Sequence, residues 1–73
     1  MANYTIVFYD IVTKDAKDRP QYDLCSRELY LDITAATEAE MRELVATQGT
    51  EFLEKELCRP VKSFKYRFSK HGK

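Results

Sequence analysis

Few residues in this chain are equipped for chemistry, and they are scattered. His71 is the single histidine and sits in the tail. Cys25 and Cys58 are the two cysteines, with no CxxC pair and no Cys/His cluster of the kind that holds zinc. Both read as small core-filling residues. A reactive thiol wants a basic, exposed setting, which makes Cys58, beside Arg59, the better of two weak candidates. Acid pairs such as Glu38 and Glu40 fall at a predicted helix start, where capping and solubility account for them. There is no Ser/His/Asp set, no Cys beside a His, no Gly-rich phosphate loop and no HExxH. Without a nucleophile–base constellation the expectation is a protein that is not an enzyme and takes no cofactor or metal.

The segment Lys62-Ser-Phe-Lys-Tyr-Arg-Phe-Ser-Lys70 interleaves aromatics with bases. Such a strand can stack nucleobases and hold phosphates. Alternation, however, sends Phe64, Tyr66 and Phe68 to one face and Lys65 and Arg67 to the other. The Gly-containing pattern of an RNA-recognition-motif strand is also missing. Core aromatics with a solvated basic back is the simpler reading, and the bases stay available to a phosphate backbone or an acidic protein patch.

The elements that must position these residues follow from periodicity. Asn3–Val12 (NYTIVFYDIV) is β-branched and aromatic, with both alternation sets apolar, as in a central strand. Thr13–Gln21 is polar, contains Pro20 and predicts a loop that is long for a hairpin. Tyr22–Ile33 predicts a second, half-buried strand, with Leu29, Leu31 and Ile33 inward. Thr37 and Glu40 have the spacing of a capping box. Met41, Leu44, Val45, Gln48 and Phe52 then keep helical spacing. Gly49 either permits a close approach within one helix running to about Leu57, which the continuing stripe favours, or ends a first helix before a second. Pro60 forces the end. Val61–Ser69 predicts the last strand, and residues 70–73 a flexible tail.

The fold class expected is α+β: one β-β-α-β domain over residues 1–73, with a three-stranded sheet in order 2-1-3 and one helix on one face. Little sequence is left to cover the other face. It should show Val7, Tyr9 and Ile11 centrally, Tyr30 on one flank, and Lys65 and Arg67 on the other. An apolar strip rimmed by polar and basic residues marks a binding surface, and these six are the expected partner-binding residues.

Composition agrees with a folded binding domain: 44% of residues are hydrophobic and 33% charged, which excludes disorder. A domain of this length buries only about 60% of its unfolded surface, so the core is thin. The formal net charge is zero, yet residues 23–58 carry nine acids against three bases while residues 59–73 carry six bases and no acid. Such segregation points to an interaction surface. No apolar run reaches the roughly 20 residues of a membrane span. The opening residues lack the features of a signal peptide, so a cytoplasmic location and no membrane partner are expected.

The length, the charge split and the opening MANYTIVFYDIV resemble the small RNA polymerase-binding antitermination proteins of lytic Xanthomonas phages, and more broadly phage host-takeover proteins. The likeness spans the whole chain and rests on no specific motif. It implies a monomer in the host cytoplasm that binds bacterial RNA polymerase near the RNA exit channel, at the β′ N-terminal segment and the β flap. Such a protein displaces the σ factor from host promoters and lets elongating polymerase pass terminators, with nascent RNA a further possible contact. Two other readings stay open: a stand-alone nucleic-acid-binding module, and a phage inhibitor of another host complex such as a CRISPR effector.

Overall fold

A computed structural model describes residues 2–71. The chain runs as strand β1 (Ala2–Lys14), strand β2 (Pro20–Gln21), strand β3 (Leu29–Ala35), helix α1 (Glu38–Leu44), a π-helical turn (Val45–Gly49), helix α2 (Thr50–Leu57) and strand β4 (Val61–His71). The class is α+β, with β1 central and antiparallel to every neighbour. β4 pairs along one side of it; β3 pairs with its first half on the other side and β2 with its last two residues. The expected order is therefore present, with the two-residue β2 added as a fourth strand.

β2 alters the reading of the hairpin. Strand β1 continues through Thr13 and Lys14, so the loop shrinks to residues 15–19. Asp15 is what permits so tight a loop. Its Oδ1 accepts from the backbone N–H of Lys17 and of Arg19, both at 2.9 Å, and its Oδ2 accepts from Arg19 Nε at 3.0 Å. The Arg19 amide above all, with the Lys17 amide and the Arg19 side chain, holds this carboxyl below its ordinary value of 3.8, against a smaller upward push from burial. A depressed folded-state value means that the contribution is present above 3.8 and lost as pH falls through the folded value. Acidification through that lowered value should therefore release the Lys17 and Arg19 amides before those of the sheet, as amide exchange would show. Residues 22–28, expected as the first part of a strand, form a turn at 23–26 with irregular residues on either side instead. The polar run Asp23, Ser26, Arg27 and Glu28 has no alternation to hold a strand.

The helix starts where the cap predicts. Thr37 Oγ1 accepts from the Glu40 amide at 3.2 Å, and Glu38 and Glu40 occupy the first turn. Thr37→Ala should lower unfolding stability by about 1 kcal/mol and leave partner affinity per folded molecule unchanged; a selective loss of affinity would put the acidic helix start in an interface.

The helical path is continuous to Leu57, because Leu44, Val45, Gly49 and Thr50 all keep right-handed helical backbone angles. The register widens through the π turn. A Cβ at Gly49 would stand 3.1 Å from two ring carbons of Phe8, which is fully buried. Glycine thus lets the helix approach the central strand. Gln48, expected on the buried stripe, faces out, because the extra residue of a π turn shifts the helical register around it. Cys58 ends the helix in the left-handed region, with φ 55°, and Pro60 prevents continuation.

One face of the sheet packs on the helix. Tyr4, Ile6, Phe8, Ile11, Ile33, Met41, Val45 and Leu53 form the core, with Leu29, Leu31, Phe64, Tyr66 and Phe68 half-buried against it. Phe8 sits edge-on to Phe64 at 5.2 Å, and Tyr4 edge-on to Phe68 at 6.0 Å. Thr13 is also fully buried, and its hydroxyl has no hydrogen-bond partner. Thr13→Val keeps the shape and removes the desolvated hydroxyl. It should raise unfolding stability by about 1 kcal/mol, read from a denaturant midpoint.

Strand β4 runs two residues further than expected, to His71. The predicted flexible tail at 70–73 is corrected for Lys70, which pairs with Tyr4, and for His71, which pairs with Asn3. Gly72 and Lys73 lie outside the described residues.

Candidate functional site: the helix-free face of the sheet

Alternation along β1 sends Asn3, Thr5, Val7 and Tyr9 to the face away from the helix. Register then builds rows across three strands. Val7 is opposite Tyr30 on β3 and Arg67 on β4, and Tyr9 is opposite Lys65. Directly opposed side chains stand about 5 Å apart at Cβ, so Tyr30, Val7 and Arg67 form one contiguous row. Tyr30 is 60% exposed and one of two large apolar side chains so open among the described residues. Arg67 lies over the Tyr9 ring at 5.5 Å from its centroid.

Five of the six predicted residues, Val7, Tyr9, Tyr30, Lys65 and Arg67, therefore meet on one surface. The sixth does not. Ile11 is fully buried in the core. The cause is a bulge: three steps on β1, Tyr9 to Val12, oppose two steps on β4, Lys65 to Ser63. Asp10 takes up the extra residue in the left-handed region, with φ 49°, a conformation that Asp tolerates better than most residues. One inserted residue reverses the faces beyond it, so Ile11 turns inward and Val12 outward.

The bulge also aims the Asp10 carboxylate at Lys65 Nζ, 3.6 Å away. Glu28 Oε2 accepts from Arg67 Nη2 at 3.2 Å. All four side chains are well exposed, so each pair is worth less than about 1 kcal/mol and orients its cation without burying it. Sequence reasoning missed both Asp10 and Glu28 as site residues. Only the Asp within the otherwise apolar run Ile6–Val12 signalled the first.

A polar strip adjoins the apolar row. Thr34 Oγ1 donates to Asn3 Oδ1 at 2.9 Å. Thr5 Oγ1 donates to Asp32 Oδ1 at 3.0 Å and lies 2.8 Å from His71 Nε2. Threonine, histidine and aspartate in contact invite comparison with a hydrolytic triad, but the order is wrong. The threonine hydroxyl donates to the carboxylate rather than to the imidazole, whereas in a triad the hydroxyl donates to the imidazole. Nothing orients the ring from its far side among the described hydrogen bonds. The arrangement ties β3, β1 and β4 together at their ends. Placing His71 in the tail concealed it.

Cys25 and Cys58 are both free thiols. Cys25 is half-buried, with Sγ 3.5 Å from the Ile11 carbonyl beside the bulge, and Cys58 is exposed at the helix end. No helix among the described residues is long and apolar enough to cross a membrane. Comparison with known protein families, curated proteins and solved structures returns no match.

Proposed function

We propose that this protein is a non-catalytic regulator that binds bacterial RNA polymerase through the helix-free face of its sheet. The observation that carries the binding surface is the row Tyr30–Val7–Arg67 with Tyr9 and Lys65 beside it. Aromatic and arginine side chains around an apolar centre, with a polar margin, are the composition of a protein-binding patch. The fold leaves this face without a helix. The resemblance of MANYTIVFYDIV and of the charge split to phage antitermination proteins names the partner: polymerase near the RNA exit channel, at the β′ N-terminal segment and the β flap. On this reading the protein acts as a monomer in the host cytoplasm, hinders σ-dependent initiation and promotes readthrough of terminators. The exposed cations Lys65 and Arg67 are also suitably placed to meet an acidic patch or nascent RNA.

A stand-alone nucleic-acid module is the second reading, favoured by the same two cations and by Tyr30 as a stacking surface. Mobility-shift assays with and without purified polymerase, at two salt concentrations, separate the two. The polymerase reading expects a shift only with the enzyme present. Tight RNA or DNA binding without polymerase, falling steeply with salt, would replace it with the second reading.

A further inference from the structure

Strand β4 is an edge. It pairs with β1 on one side, and among the described residues no strand pairs with its other side. Its stretch Lys65–His71 pairs with Asn3–Tyr9 in unbroken register, so alternate residues along it turn their backbone N–H and C=O groups outward in a regular row. An open edge of this length is a template for another extended chain. Its charge decides which chain.

Residues 59–73 carry six bases and no acid. Lys62 and Lys70, near the two ends of the strand, have no ion pair among the described residues, whereas Lys65 and Arg67 are turned over the sheet toward Asp10 and Glu28. A second copy adding its own β4 would bring cation against cation, which disfavours self-pairing. An acidic extended segment would place carboxylates beside Lys62 and Lys70 while its backbone completes the ladder. We propose that the outer edge of β4 receives an extended acidic segment of a partner protein as an additional strand. The edge is distinct from the helix-free face, and the inference holds whichever protein supplies the segment.

The test is amide hydrogen exchange on the full chain with a blocked peptide alternating Glu and Val, long enough to run along β4. A Lys/Val peptide and an N-methylated Glu/Val peptide serve as controls. The Glu/Val peptide should slow exchange about tenfold at alternate β4 amides and leave β3 unchanged. The Lys/Val peptide, the N-methylated peptide and the chain variant Lys62→Glu/Lys70→Glu should show no such slowing. Four results would overturn the proposal: no protection at millimolar peptide, equal protection by the Lys/Val peptide, protection at β3 instead, or concentration-dependent protection without peptide, which assigns the edge to a second copy. An oligouridylate that perturbs Lys62 and Lys70 more strongly than the peptide does would also overturn it, in favour of a polyanion site. Loss of this edge interaction with polymerase binding intact, or the reverse, distinguishes its failure from failure of the polymerase reading.

Discussion

Ile11→Ala should destabilise the fold by about 2–5 kcal/mol, the range for deleting a fully buried aliphatic side chain that leaves a cavity. A domain of this length has roughly 4–11 kcal/mol of stability in all, so the variant should lose a large share of its denaturant midpoint. Tyr9→Ala, two positions earlier and half-exposed, makes the contrast. It removes the ring under Arg67 and should cost about 1 kcal/mol of stability, while an anchor lost from a binding surface costs 2 kcal/mol or more of affinity, roughly. The two substitutions are thus expected to separate: stability for Ile11, binding for Tyr9. Equal effects on stability would mean that Asp10 does not insert an extra residue and that Ile11 shares the open face with Tyr9.

Reversing Lys65 and Arg67 to Glu should abolish polymerase binding and leave a folded protein. Both side chains are more than half exposed, and each now meets a carboxylate, Asp10 or Glu28. The reversal replaces two weak attractions with two weak repulsions, at a cost of about 1 kcal/mol per pair or less. Against an acidic partner surface the same change turns attraction into repulsion at both sites. Affinity should fall by about two orders of magnitude or more, and added salt should narrow the difference. Titration of each variant into polymerase, alongside its melting temperature, reads both quantities. Loss of the melting transition together with binding would return these residues to a structural role.

The contrast between Tyr9 and Ile11 shows how far the sequence carries. Strict alternation along NYTIVFYDIV placed Ile6 and Phe8 inward and Val7 and Tyr9 outward, as found. It failed at Ile11 because a bulge is one residue long and periodicity has no memory of it. The bulge lies between two residues that look in register, and the only hint is a polar Asp where an apolar residue would extend the strand. The helix was legible through Gly49 because the apolar stripe resumes at Phe52 and Leu53, both packed against the core. Its π turn was not, since it depends on how closely Gly49 approaches Phe8 across the fold. Residues 22–28 read as strand through continuity with Leu29–Ile33, yet they carry no alternation of their own. His71 was assigned to a tail by position, whereas its pairing with Asn3 depends on the length of β1. The face itself was legible because it needs only two periodic strands and a short chain.

The most direct test of the central claim, that the helix-free face is the polymerase-binding surface, is residue-resolved NMR line broadening on adding substoichiometric bacterial RNA polymerase to the labelled protein. Signal loss should concentrate at Thr5–Tyr9 on β1, at Tyr30 on β3 and at Lys65–Arg67 on β4, with the helix at residues 38–57 least affected. Loss centred on the acidic helix, or spread evenly over the chain, would contradict it.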